Sequence, residues 1–123
     1  MTISYNRLGS NGRLGNQMFQ YAGLRGIAAY HGYHWMIPSP DSYGDSNYGL
    51  FDCFEMSTVD TKNIGYFESR QNLATGCFHF NEQFFKECPD NVNLHDYFQT
   101  EKYFENIADV IRKDFTFKKE ILD

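Results

Sequence analysis

The sequence predicts an α/β fold, and three consecutive stretches near its start carry that expectation. "TISYNRL" (Thr2–Leu8) alternates as a half-buried strand does. "GSNGRLG" (Gly9–Gly15) is turn material, rich in Gly, Ser and Asn. The period then changes. Phe19, Ala22, Gly23, Gly26, Ile27 and Tyr30 fall at i, i+3, i+4, i+7, i+8 and i+11, one face of a helix. Gly23 and Gly26 are expected to let that helix lie close to a sheet, and Gly32 is placed to end it. "YHWMIP" (Tyr33–Pro38) follows as a second strand, completing a βαβ unit with a right-handed crossover.

Composition sets the frame for that unit. The 123 residues suit one domain, long enough to bury about two thirds of the surface the unfolded chain exposes. Hydrophobic residues make up 41% and aromatic residues 18%, which is far from the composition of disordered segments. The net charge of −5 argues against a general affinity for nucleic acid or an anionic membrane surface. The charge is unevenly spread. Arg7, Arg13 and Arg25 precede the first acid, Asp41, so the amino-terminal end is locally positive. "MTISYNRLGS" lacks the basic lead and apolar run of a signal peptide, and no stretch has the length of a membrane span, so a soluble, cytoplasmic chain is expected. Cys53, Cys77 and Cys88 form no C-x-x-C pair and read as packed thiols.

The remaining elements are less sharply written. "SPDSYGDSNYG" (Ser39–Gly49) is a loop by composition. "FDCFEMSTV" (Phe51–Val59) suggests a short edge element, and "GYFES" (Gly65–Ser69) and "TGCFHF" (Thr75–Phe80) suggest brief strands. "NVNLHDYFQ" (Asn91–Gln99) alternates as a strand. Thr100 is a cap for a helix whose apolar face is Phe104, Ile107, Ala108, Ile111 and Phe115.

The chemistry-bearing stretch is "GRLGNQMFQYA" (Gly12–Ala22). A glycine-rich turn that leaves a strand and opens a helix presents backbone N–H groups at the positive end of the helix dipole, an arrangement that binds anions. It is neither a Walker loop nor G-x-G-x-x-G, because no Gly-Lys-Ser/Thr follows and the glycines fall at Gly9, Gly12 and Gly15. Arg13 offers a fork suited to a pair of phosphate oxygens, and Asn16 and Gln17 offer amides that donate and accept. The same residues also suit a purely structural role, with Gly12 and Gly15 serving backbone geometry, Asn16 capping the helix and Arg13 solvated.

"GRLGNQMFQYA" closely resembles the amino-terminal signature of the α-1,2-fucosyltransferases, glycosyltransferase family 11. "YFQTEKYF" (Tyr97–Phe104) with "IRKDFTFK" (Ile111–Lys118) resembles a second segment of that family, so the resemblance covers both ends of the chain. It implies a GT-B-type enzyme, of which this chain is a Rossmann-like α/β amino-terminal half, moving fucose from GDP-fucose to the 2-hydroxyl of a galactose-containing glycan. It implies a donor-phosphate site at Gly12, Arg13, Gly15, Asn16 and Gln17 and no metal or other cofactor. The family's H-x-R-R-x-D motif does not occur in this sequence, so the chain reads as an incomplete half, with the carboxy-terminal donor-binding domain absent. The chain alone is expected to be inactive for lack of that motif, and a separately encoded second half or self-association is expected. The alternative is a non-catalytic sugar- or nucleotide-binding module.

Other polar residues carry weaker signals. Asp96 and Glu101 are candidates for the base that deprotonates the acceptor hydroxyl, and Glu68 is a lesser one. His31 and His34 straddle Gly32, which argues against a metal pair, and His79 and His95 stand alone.

Overall fold

The computed structural model describes residues 2–5, 8, 14–38, 50, 54, 61–62, 71–73, 80–89, 92–94, 98 and 100–117. Strand β1 (Thr2–Ser4) leads to helix α1 (Leu14–His31) and strand β2 (His34–Pro38). Strands β3 (Thr61–Lys62) and β4 (Gln71–Leu73), helix α2 (Glu82–Glu87) and strand β5 (Val92–Leu94) follow. Two 3-10 turns (Glu101–Tyr103 and Glu105–Ile107) then lead into helix α3 (Ala108–Asp114). The strands form one parallel sheet in the order β3-β2-β1-β5-β4, so the α/β class holds and the βαβ unit is present. Both crossovers, β1-α1-β2 and β4-α2-β5, step in the same direction across the sheet. Crossovers of one hand would set both helices on the same face, and α1 does touch α2.

The ladder fixes which side chains face that layer. Ile3 is in register with Trp35, and Ser4 with Met36 on one side and Asn93 on the other. Trp35 meets Tyr21 of α1 edge-on at 5.6 Å, which assigns Ile3 and Trp35 to the helical face. Ser4 and Asn93 lie on the opposite face, and both are buried, so the sheet is covered on both sides as parallel sheets are.

Helix α1 ends where expected. Gly32 adopts φ 72°, a left-handed conformation that favours glycine, and the Tyr33 amide donates back to the Ala28 carbonyl at 2.9 Å, closing a Schellman motif. Its packing departs from expectation in two ways. Phe19 and Tyr30, the ends of the apolar stripe, are exposed, whereas Gln17, Tyr21, Leu24 and Ala28 form a second buried stripe. The two glycines meet the carboxy-terminal segment instead of the sheet. A Cβ on Gly26 would stand 1.8 Å from the Tyr103 carbonyl oxygen, and one on Gly23 2.8 Å from Phe98. The Gly-Gly stripe is thus a seat for residues 98–104.

The later elements are shorter than their sequence patterns. β1 stops at Ser4, although the Tyr5 amide still donates to the Met36 carbonyl. β5 covers only Val92–Leu94 of the alternating stretch, and Phe98 lies at φ 53°, outside any strand. The single helix expected after Thr100 is divided into two 3-10 turns and α3, with Thr100 capping the first through its hydroxyl. Helix α2 has no counterpart in the sequence reading. Its physical start signal is Asn81, whose side chain accepts from the Phe84 amide at 2.9 Å. β3 and β4 were likewise not expected. The suggested strand at 65–69 lies outside the described residues, as does most of 51–59; of the one at 75–80 only Phe80 is described, and it belongs to no strand. Within 51–59, Phe54 makes an antiparallel bridge with Phe117.

A charged clamp ties three elements together. Asp114, at the end of α3, accepts from the Tyr21 hydroxyl at 2.7 Å and pairs with the Arg25 guanidinium. Arg25 in turn lies 4.6 Å from the centre of the Trp35 ring, a cation–π contact, so α1, β2 and α3 share one junction. Burial, followed by the hydrogen bond to Asp114, holds the Tyr21 hydroxyl well above its usual range. Burial also pushes the Cys88 thiol up to about 11. Cys88 is packed as a buried thiol should be; Cys53 and Cys77 lie outside the described residues.

Two predictions rest on this packing. Gly26→Ala forces backbone against backbone and should cost about 2–3 kcal/mol, with Gly23→Ala milder because Phe98 presents a side chain. Gly15→Ala meets nothing within 4 Å and should be stabilising by about 0.4–1 kcal/mol. Denaturant titration of the three variants checks the ranking. The second concerns alkali. Tyr21 and Cys88 are acids that keep their protons longer in the folded chain than in the unfolded one, so unfolding releases protons and stability falls with rising pH. The decline should begin near the free-thiol value of 9.0 and continue past about 11. Cys88→Ala should flatten its first part and Tyr21→Phe its part above about pH 10, the free tyrosine value, in melting curves taken across the range.

Candidate functional site

The amino-terminal turn of α1 sits at the carboxyl edge of the sheet. β1 runs out at Ser4, Tyr5 is fully buried, and the Leu8 amide turns back to the Tyr5 carbonyl at 3.2 Å. The chain then enters α1 at Leu14, inside the string "GRLGNQ". Gly12 and Arg13 lie outside the described residues; Gly15, Asn16 and Gln17 share the first helical turn. Asn16 is the third residue of the helix, so it is not the N-cap that the structural alternative assigned to it.

These three residues have different surroundings. Gly15 is exposed, and a Cβ there would meet nothing within 4 Å, so no described residue calls for a glycine at that position. Asn16 is half-buried. Gln17 is fully buried, and its Oε1 accepts from the Leu50 amide at 3.3 Å, pinning the start of α1 to the segment that follows β2. No acid occupies the first turn of α1. The partial positive charge of the helix end is therefore not offset from within the turn.

Of the proposed bases only Glu101 lies within the described residues. Asp96, like Glu68, lies outside the described residues. Glu101 is exposed and opens the 3-10 turn whose last residue, Tyr103, packs at Gly26. Gly26 is eleven residues beyond Gly15, about 16 Å along the helix axis.

The histidines take structural positions where described. His31 shares a 2.7 Å hydrogen bond between its Nε2 and the Phe85 carbonyl and stacks on Tyr33 at 4.9 Å, while His34 is exposed on β2. His79 and His95 lie outside the described residues. Among the described residues no three His, Cys, Asp or Glu side chains come together as a metal site would require, and no helix is long and apolar enough to cross a membrane.

Two features of this region escaped the sequence reading. The Gln17–Leu50 bond joins residues with no common periodicity. The Arg25–Asp114 pair joins two elements far apart in the chain, and only the isolation of Arg25 within an apolar helix hinted at a buried partner. No family model, curated protein or solved structure matches this chain.

Proposed function

We propose that this chain contributes the donor-phosphate turn of a glycosyltransferase of the α-1,2-fucosyltransferase type, one that moves fucose from GDP-fucose to the 2-hydroxyl of a galactose. The observation that carries this reading is the position of "GRLGNQ". It spans the entry into α1 at the carboxyl edge of a parallel sheet, where α/β folds bind phosphate-bearing ligands, and its Gly15 is sterically open. The β3-β2-β1 half of the strand order agrees with the first half of a nucleotide-binding Rossmann sheet. The other half departs from it, since β5 lies next to β1 with β4 outermost.

In such a transfer the acceptor oxygen attacks the anomeric carbon as GDP leaves with the bonding electrons, and the acceptor proton passes to a base. The negative charge that develops on the diphosphate needs fixed donors. The first-turn amides of α1 supply part of that field, and Arg13 supplies a bidentate partner. Asn16 orients the diphosphate from the same turn, while Gln17 holds the helix start in place through Leu50. Asp96 and Glu101 stay the candidate bases. The H-x-R-R-x-D motif is not among these residues, so this reading assigns the remaining contacts with the nucleotide-sugar to a polypeptide that bears it.

Incubation with GDP-fucose and a β-galactoside, read by mass spectrometry, tests the reading. Transfer is expected when a polypeptide carrying H-x-R-R-x-D is added and not from these residues alone. In that mixture Arg13→Ala should lose about 2–4 kcal/mol of transition-state stabilisation, roughly 30- to 1,000-fold in rate. Arg13→Lys should recover only part of it, since lysine keeps the charge without the fork. Gly15→Ala should slow transfer while raising the melting temperature, a combination that a structural glycine cannot give. Variants at both positions within twofold of the parent would remove the turn from the donor site.

A further inference from the structure

A second concave feature opens at the two residues that follow Gln17. Met18 and Phe19 of α1, Ile111 and Arg112 of α3, and Phe104 and Phe115 line a groove of about 380 Å³. That volume lies in the range of small-molecule sites. Three aromatic rings and two aliphatic side chains form the walls, with Phe19 and Phe104 tilted at 56° to one another, 6.3 Å between centres. Phe19 is left 36% exposed although it belongs to the stripe that seats residues 98–104. The groove is therefore an apolar surface that the described packing leaves open.

Among the described residues its one charged wall residue is Arg112. The described partner of Arg112 is Asp109, one turn earlier on α3, at 2.8 Å, and the Asp109 side chain is 99% exposed. An ion pair this exposed is weak and exchanges readily. One guanidinium nitrogen makes that contact, which leaves further donors of the fork for a second anion. Glu105, next to Phe104, is exposed and does not line the groove. Ring-lined walls with a single guanidinium at the side are complementary to a flat apolar body bearing one negative group.

We infer that the groove between α1 and α3 binds an anionic aromatic ligand, its ring system against Phe19, Phe104 and Phe115 and its acidic group on Arg112. This site is separate from the phosphate turn and does not depend on the fucosyltransferase reading. Two fluorescent probes that share an anilinonaphthalene body test it: 8-anilinonaphthalene-1-sulfonate, which carries a sulfonate, and the uncharged N-phenyl-1-naphthylamine. Both should bind the folded chain saturably, at one site per chain. Phe19→Ala should weaken both about tenfold, the loss of one ring wall. Arg112→Ala should weaken the sulfonate about fivefold and leave the neutral probe unchanged, with Arg112→Lys intermediate. Val110→Ala, exposed on α3 outside the groove, should affect neither. Near-ultraviolet circular dichroism of each variant separates loss of the site from loss of the fold. Three results would overturn the inference: no saturable binding to the folded chain, probe binding indifferent to Phe19→Ala, or equal loss of both probes in Arg112→Ala. A concentration-dependent dimer that excludes the probes would also overturn it, by giving the groove to a second copy of the chain.

Discussion

The approach of the Tyr103 carbonyl to Gly26 is the constraint around which the described structure is arranged. With 1.8 Å to an ideal Cβ position, only a glycine permits it, and it brings two backbones together without an intervening side chain. Everything near it follows from that separation. Asn106 reaches the Gly26 carbonyl with its side-chain amide at 3.3 Å, and Phe98 drops onto Gly23 one turn earlier. From there Phe98 touches Tyr5 at the end of β1 and Tyr103 on the 3-10 turn. Tyr103 then accepts from the Asn81 amide, which anchors the start of α2. One glycine thus sets the distance between α1 and a segment that contacts the sheet and the second helix.

Aromatic rings fill the space that this arrangement creates, which gives the 18% aromatic content a physical use. Rings bury large areas with few rotatable bonds, so a small domain gains much from them. They also carry polar tips into the interior. Tyr21 delivers its hydroxyl to Asp114 and Tyr33 delivers its own to the Cys88 carbonyl, each closing a bond between α1 or its end and a distant element. The Arg25–Asp114 pair belongs to the same logic. A cation on the apolar side of a helix is tolerable when a carboxylate and a ring face share it, and removal of Asp114 would leave Arg25 partly buried without its counter-charge.

The elements legible in the sequence are those whose signals are local. The alternation of Thr2–Leu8, the glycine-rich turn and the 3.6-residue period gave β1, α1 and β2 because each pattern is complete within one segment. Gly32 was readable for the same reason, since a helix stop needs only its own φ. The face that Phe19, Gly23 and Gly26 present was also correctly grouped, but its partner was not, because a small-residue stripe states that something comes close without stating what. β3 and β4 are two and three residues long, too short for any period to register. The alternation of Asn91–Gln99 overstated β5 because Phe98 must leave the sheet, at positive φ, to reach Gly23. Of the candidate site, the position of the turn at the entry to α1 was legible; the burial of Gln17 and the groove beyond it were not, as both depend on residues brought together only by the fold.

Helix α1 uses its glycines for unlike reasons. Gly26 is required by a backbone neighbour and Gly32 by a backbone angle. Gly15 has neither requirement: its surroundings are open, its φ is not left-handed, and glycine in a helix is less stable than alanine by about 1 kcal/mol. A residue that weakens the helix without serving the packing around it is a place where stability and function pull apart. It lies on the first turn, at the positive end of an eighteen-residue helix whose opening turn contains no acid. The two glycines thus mark unlike parts of α1: at Gly26 the helix is committed to a backbone contact, and at Gly15 no described residue approaches it.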